Sequence, residues 1–277
     1  MVHDSIRQRI KDVGLDLFDI KISPKLRDMT FGRPFLSKVI GGNGMMTFPP
    51  IDEVKFIDIH PFRNLKLMCA NLEYNPFAAQ VPGAPGLYYN EIDERDGGWA
   101  EAEELTLIVG FDTNVWCHMG RYTMVRVPSL TADEWLAHDK SVRNNWANGI
   151  HNSIWGKRIR ARIFLRKELH REPTDEEVED AMSRNDSFKD NVSTAEIHEA
   201  YNIGYEHLAV WYMKCVGYDI AFQEYLERRL RTWVPPPPKS KKPTARKSKG
   251  VVAKNATKPR DRHKQGGHGG RGRSRGC

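Results

Sequence analysis

The chain has 277 residues, 39% of them hydrophobic, and a formal net charge of +7. It can hold one medium domain or two small ones, and its seven tryptophans favour a globular fold with a packed core. The four cysteines are far apart and lack metal-ligand or disulfide-framework spacing. No signal peptide or membrane span is recognisable, so a soluble intracellular protein is expected.

The positive charge is concentrated in residues 235–277, which we call the basic tail. The tail holds 14 Lys or Arg and one Asp, a net +13, and subtracting this from +7 leaves −6 for residues 1–234, which we call the body. The basic character therefore belongs to the tail and not to the fold. Since the tail has almost no large apolar residue, it is predicted to be disordered.

Residues 1–30 are expected to hold an amphipathic helix and a linker, and residues 31–130 a β-rich half. Pro34 suits the first turn of a second helix, and glycines 41–44 suit its end. Gly120 interrupts a long strand and predicts a bulge or bend, of the kind that curls small sheets toward barrels. The predicted elements are helices at 4–18 and 34–40 and strands at 54–59, 65–72, 87–89, 105–109 and 115–127.

Residues 131–234 are expected to form a helical half packed on the β-rich half. Three capping boxes mark helix starts in it, namely Thr131 with Glu134, Thr174 with Glu177 and Ser193 with Glu196. The predicted helices run from 131 to about 150 and over 154–170, 175–182, 194–216 and 220–232. The expected class is α+β: a small bent antiparallel sheet or partly open barrel on a C-terminal helical half, with a disordered basic tail.

No catalytic constellation is visible in the body. Cys117 and His118 are neighbours on a strand, so they point to opposite faces and cannot act as a nucleophile and base pair. The acidic residues of 93–104 are typical of a solvated loop, and no metal or cofactor is expected. A candidate pocket is placed along the long strand, at Trp116, His118, Arg121, Tyr122 and Arg126.

The tail has the composition of a nucleic-acid-binding and nuclear import segment. One cluster is as dense as an import signal, and an arginine and glycine segment follows it. These candidate contacts are Lys239, Lys241, Lys242, Arg246, Lys247, Lys249, Arg271, Arg273 and Arg275. A second candidate is the basic run with Arg158, Arg160 and Arg162, which is also typical of a solvated helix face paired with the acidic residues of the next helix.

Short strings spread over about 31–230 form a pattern. They include Phe35-Leu36-Ser37 before Gly41-Gly42, Pro82-Gly83-Ala84-Pro85-Gly86-Leu87, Gly120-Arg121-Tyr122 and Met213-Lys214-Cys215-Val216-Gly217-Tyr218-Asp219. In these strings the chain resembles an uncharacterised domain family of mushroom-forming (basidiomycete) fungi. That family has no assigned activity, so the resemblance implies a fungal source and no particular chemistry.

The function expected from the sequence is that of a non-enzymatic nuclear protein. It would associate with DNA or RNA at low sequence specificity, largely through the tail, and an import receptor would be a further partner. Two alternatives remain open: a protein-interaction module with a nuclear import tail, and an enzyme or ligand-binding barrel whose site is not visible in the sequence. A concave pocket with converging polar groups would favour the enzyme or ligand class.

Overall fold

The computed structural model of the chain describes residues 2–14, 16–52, 61–62, 64–92, 104–184 and 187–235. The predicted strand at 54–59, nearly all of the acidic loop, and the basic tail from residue 236 onward lie outside the described residues, so those predictions stay predictions. The residues up to Pro235 belong to one compact unit.

The helices and strands alternate irregularly along the chain. The helices are α1 (Val2–Val13), α2 (Pro24–Arg27), α3 (Arg33–Ile40), α4 (Ala132–Ala137), α5 (Lys140–Asn152), α6 (Lys157–Leu169), α7 (Asp175–Ser183), α8 (Thr194–Asn202) and α9 (Ile220–Arg231). The strands are β1 (Thr30–Phe31), β2 (Leu67–Asn71), β3 (Gly86–Asn90), β4 (Leu105–Asp112), β5 (Val115–Val127) and β6 (Ala209–Gly217).

The strands form one sheet in the order β2-β4-β5-β6-β3, with β1 paired to β5. Every pairing is antiparallel except that of β2 with β4. Strand β5 joins the whole sheet, because β4 lies along one of its edges while β1 and β6 follow each other along the other edge. The sheet curls like half a barrel, which confirms the predicted α+β class with a bent, mostly antiparallel sheet.

The bend in β5 lies at Gly120, as predicted. Leu107 pairs with Gly120 and Ile108 with His118, so Met119 is an extra residue in the ladder. Gly120 has a φ of +126°, and a Cβ on it would lie 2.8 Å from the carbonyl oxygen of Gly217. Only glycine fits this position without strain, so one residue sets where the long strand turns.

The two faces of the sheet are covered differently. One face buries side chains from five strands against each other and against loops, including Met68, Leu107 and Tyr122. The opposite face carries helices in two places: α1, α4, α5, α6 and α8 pack beside β3 and β6, whereas α3 and α9 pack beside β2 and β4. The helices thus cover the sheet from one side, and the loops cover the other.

The predicted helix over 194–216 is wrong in its second half. Helix α8 ends at Asn202, where Gly204 takes a φ of +80° and Tyr205 donates its backbone N–H to the carbonyl of Ala200. Residues 209–217 then form β6, whose later positions alternate between buried and exposed. The spacing of the aromatic residues in this segment is compatible with a helix and with a strand. The segment forms a strand because it pairs with β5 and β3.

The predicted helix from residue 131 to about 150 is two helices. His138 and Asp139 are extended between α4 and α5, although Trp135, Trp146 and Ile150 still pack into one core cluster. The other capping predictions are confirmed, since all three capping boxes form with both of their hydrogen bonds. The strands at 65–72, 87–89 and 105–109 are confirmed with shifted ends, and β5 has the predicted bounds.

Candidate functional site

A cleft of about 460 Å³ lies at one end of the sheet. It is bounded by the loop after α3, the ends of β2 and β3, the start of β5, helix α5 and the turn after α5. Its lining residues are Arg33, Gly44, Met45, Met46, Thr47, Phe48, Cys69, Asn71, Tyr74, Asn75, Tyr88, Tyr89, Asn90, Glu91, Ile92, Trp116, Trp146, Ser153 and Trp155. Seven of the nineteen are aromatic, and the single cation and single anion cancel.

Arg33 organises the loop side of the cleft. Its guanidinium donates hydrogen bonds to the carbonyls of Gly44 at 3.2 Å and Met46 at 2.6 Å, and it lies 5.3 Å from the ring centroid of Trp116. It also donates to the sulfur of Cys69 at 2.8 Å. The side chain is buried and its donors have internal partners, so its role is to hold the loop in place.

The Cys69 thiol is not activated for nucleophilic chemistry. Burial raises its pKa to about 11, although the adjacent Arg33 guanidinium opposes that rise. A thiol with this pKa is almost fully protonated at neutral pH, whereas the thiolate is the nucleophile. Cys69 therefore contributes a small apolar surface to the cleft.

Three asparagines line the sheet side of the cleft, and two of them have structural roles. The side-chain oxygen Oδ1 of Asn71 accepts the backbone N–H of Glu73 at 2.8 Å. The Asn75 side chain accepts the backbone N–H of Tyr89 at 2.7 Å, which ties the loop after β2 to β3. Both amides thereby fix the backbone around the cleft.

Asn90, at the end of β3, is different. Its side-chain oxygen accepts the backbone N–H of Ile92 at 3.2 Å, but its Nδ2 atom is buried and has no hydrogen-bond partner among the described residues. The residue as a whole is only 3% exposed. A buried amide donor without a partner costs free energy, so it marks a place where a ligand or water completes the structure.

Aromatic rings form the helical wall of the cleft. Trp146 donates its indole N–H to the carbonyl of Tyr74 at 2.8 Å, and the two rings meet edge to face at 5.3 Å. Trp155 lies 6.0 Å from Trp146 and is 37% exposed, so it stands at the rim. Met45, which also lines the cleft, is 92% exposed.

Only one of the five residues proposed as a pocket from the sequence lines this cleft. That residue is Trp116. His118 lies in the core, where its Nδ1 is 3.1 Å from Gln223 Oε1 and its ring stacks on Tyr218 at 4.5 Å. Burial lowers the pKa of His118 to about 4, against the opposing effect of the Gln223 hydrogen bond.

None of the remaining three residues lines the cleft. Arg121 pairs with Glu104 at 2.8 Å on the surface, and Tyr122 donates its hydroxyl to the carbonyl of Ala84 at 2.8 Å. Arg126 donates to the carbonyl of Ile92 at 3.1 Å. Alternation along β5 and its bend at Gly120 separate the five side chains. Cys117 and His118 do point to opposite faces, with Cys117 in the loop-covered core.

The basic run on α6 is engaged inside the body. Arg158 pairs with Glu179 and lies 3.9 Å from Asp175, both on α7. Arg160 is buried and donates to backbone carbonyls, including that of Ser187 at 2.8 Å. Arg162 forms a buried salt bridge with Glu206 at 2.7 Å. Arg158 thus follows the expected pairing with the next helix, whereas Arg160 and Arg162 are not on a solvated face.

The nine candidate nucleic-acid contacts of the tail lie outside the described residues. Among the residues that the structure describes, no group of three His, Cys, Asp or Glu side chains could hold a metal ion. In the same part of the chain, no helix is both long and apolar enough to span a membrane.

Sequence reasoning missed most residues of the cleft, above all Arg33, Asn90 and Trp155. They come from segments separated by up to 122 residues, and no periodic pattern links them. The only local signal was the position of Asn90, a polar residue at the end of an otherwise apolar, aromatic strand.

A sequence model of a family described as a domain of unknown function (DUF6697) matches residues 30–229. No curated protein and no solved structure matches the chain.

Proposed function

Since this chain belongs to the DUF6697 family of unknown function, we propose its role from its charge distribution: a non-enzymatic nuclear protein that associates with nucleic acid largely through its basic tail. The observation that carries the proposal is the separation of charge, with −6 on the body and +13 on the tail. The family match ends at residue 229, so the tail lies outside the matched domain.

The pairing of cations within the body supports the same division. Arg162, Arg166 and Lys167 all contact carboxylates of the body, at 2.7, 2.7 and 2.5 Å. Arginines that already hold carboxylates or carbonyls are poor sites for phosphates, because the internal partner must first be displaced. A polyanion approaching the net negative body is also repelled. Affinity for nucleic acid is therefore assigned to the tail.

The tail's chemistry sets what binding should look like. Lysines and arginines neutralise phosphates of either DNA or RNA, and this gives strong salt dependence with little sequence preference. The lysine-dense part of the tail also suits an import receptor, and this supports the nuclear location in the proposal. The proposal also includes a source in mushroom-forming fungi, which the resemblance implies. Nuclear accumulation would be tested in cells of such a fungus.

The test compares the full chain with two charge variants of equal net charge. In the tail variant, six cations become Ala: Lys239, Lys241, Lys242, Arg246, Lys247 and Lys249. In the control variant, six exposed body lysines become Ala: Lys11, Lys25, Lys38, Lys140, Lys189 and Lys214. Binding to a short duplex DNA and to a single-stranded RNA is measured by fluorescence anisotropy over a range of salt concentrations.

For the unmodified chain, we expect log affinity to fall with log salt at a slope of roughly −5 to −7, from about five to eight engaged cations. The tail variant keeps eight of the 14 tail cations, so it should reduce the size of that slope by roughly 2 to 3 and should fail to accumulate in nuclei, whereas the control variant should keep both properties. Equal losses in the two variants, or a slope in the tail variant that equals that of the unmodified chain, would refute assignment of the affinity to the tail.

A further inference from the structure

We propose that the cleft beside Asn90 is a binding site for a flat, uncharged heteroaromatic molecule that presents one hydrogen-bond acceptor to the Asn90 amide. This site belongs to the body and is independent of nucleic-acid binding by the tail. It gives the family domain a ligand-binding role that its description does not include.

The first argument is the unpartnered donor. Asn90 follows Tyr88 on the same face of β3, and both residues line the cleft. The buried Nδ2 of Asn90 has no partner among the described residues, while its Oδ1 is used by the backbone of Ile92. The side chain is thus oriented by one bond and keeps a donor for an acceptor atom that enters the cleft.

The second argument is that three other polar side chains of the cleft already have hydrogen-bond partners within the body. Arg33 is bonded to carbonyls and to Cys69, and the Asn71 and Asn75 side chains hold backbone N–H groups. A sugar needs several directed polar partners, and these three side chains already make hydrogen bonds within the body. The unpartnered Asn90 donor suits a ligand with one buried acceptor, such as a ring nitrogen or a carbonyl.

The third argument comes from the walls. Trp116, Trp146 and Trp155 and the neighbouring tyrosines provide ring faces and edges, which favour a flat partner through stacking and edge-to-face contacts. Arg33 and Glu91 cancel in charge, so the lining favours an uncharged molecule over an ion. A volume of about 460 Å³ is within the usual range for small-molecule sites.

The fourth argument is preorganisation. The Arg33 guanidinium fixes the loop, the Asn75 amide ties two segments together, and Trp146 is held by its bond to the Tyr74 carbonyl. Walls that are already fixed lose little conformational entropy when a ligand enters.

The test uses two probes of almost the same shape, quinoline and naphthalene. Quinoline is uncharged at neutral pH and has one ring nitrogen as acceptor, whereas naphthalene has none. Binding to the full chain is measured by saturation-transfer NMR and by quenching of tryptophan fluorescence. The protein variants are Asn90→Leu, the nearly isosteric Asn90→Asp, Trp155→Ala at the rim, and Asn148→Leu as a matched control on the exposed side of α5.

The unmodified protein should bind quinoline about tenfold more tightly than naphthalene, because only quinoline satisfies the Asn90 donor. Asn90→Leu and Asn90→Asp should abolish this preference, Trp155→Ala should weaken both probes, and Asn148→Leu should change neither. Circular dichroism confirms that each variant is folded. Equal affinity for the two probes, a preference that survives both Asn90 substitutions, or no binding at millimolar concentration would overturn the proposal.

Discussion

His118 on β5 and Arg162 on α6 are both buried ionisable side chains, but the fold accommodates their charge in opposite ways. His118 is fully buried, and its pKa is lowered to about 4, so it is neutral at physiological pH. Arg162 cannot give up its proton and is instead neutralised by the carboxylate of Glu206, whose side chain is 0% exposed. The side chain on the sheet is buried as a neutral group, and the side chain on α6 is buried as one half of an ion pair.

The difference bears on function, because both residues were candidate site residues in the sequence. The Gln223 side chain donates its amide to the carbonyl of Leu26 at 2.5 Å, so its oxygen is left to accept the Nδ1–H of His118. His118 is thereby held in one tautomer as a core residue. Arg162 is held as part of a network with Arg166 and Glu206. Neither side chain is available to a ligand from solvent.

The largest expected effect on stability comes from removing one partner of the buried ion pair. Glu206→Ala leaves Arg162 buried without its carboxylate, and we expect the free energy of unfolding to fall by about 3–5 kcal/mol. Urea denaturation followed by tryptophan fluorescence measures this loss. The matched control is Glu172→Ala, which removes the 45% exposed partner of Arg166 and should cost less than about 1 kcal/mol.

A double variant sharpens that test. Arg162→Met with Glu206→Leu replaces the pair by apolar side chains of similar size and should recover most of the stability lost in Glu206→Ala. If Glu206→Ala and Glu172→Ala lower the free energy of unfolding by the same amount, burial does not make the Arg162–Glu206 pair more important than the exposed pair.

The next effect is the pH dependence contributed by His118. Its ordinary pKa of 6.5 applies in the unfolded chain, and the folded pKa is about 4. Between these values the unfolded chain binds a proton that the folded chain excludes, so the free energy of unfolding falls as pH falls. The loss should reach about 3 kcal/mol by pH 4.

The measurement compares urea denaturation of the unmodified protein and of His118→Gln at several pH values. The stability difference between the two proteins should change between pH 6.5 and pH 4 and stay constant above pH 7. A difference that does not vary with pH would mean that His118 is not held neutral by burial.

The smallest effect concerns the start of α8, near the segment that supplies Glu206. Ser193 caps this helix and accepts the backbone N–H of Glu196 at 3.3 Å. We expect Ser193→Ala to lower the free energy of unfolding by about 1 kcal/mol. Ser183→Ala at the end of α7 removes only an exposed bond to the Asp180 carbonyl and serves as control. Equal losses in the two variants would show that the cap does not stabilise the body.

Helix starts and the long strand could be predicted from the sequence because their causes are local. A capping box such as Thr174 with Glu177 acts over three residues, and Gly120 bends the strand in which it stands. The end of α8 was missed even though Gly204 was a visible stop signal, because the aromatic residues after it fit a helical stripe. Their pairing with β5, more than 80 residues earlier in the chain, was not visible locally.

The candidate site shows the same division. Trp116 is the only residue of the cleft that was predicted from the sequence. It lies on β5, the strand whose bounds the local sequence pattern predicted correctly. Arg33, Asn90 and Trp155 line one cleft because the tertiary fold brings their three segments together. Likewise, Arg162 pairs with Glu206, which lies in the segment between α8 and β6.

The charge separation between body and tail, the helix caps and the bend in β5 follow from the sequence, because composition and contacts within a few residues are sufficient for these. Which polar groups lack a partner and which cations are already paired depends on the tertiary structure. Burial and partner choice depend on segments far apart in the chain, and those are brought together only by the packing of the sheet against its helices.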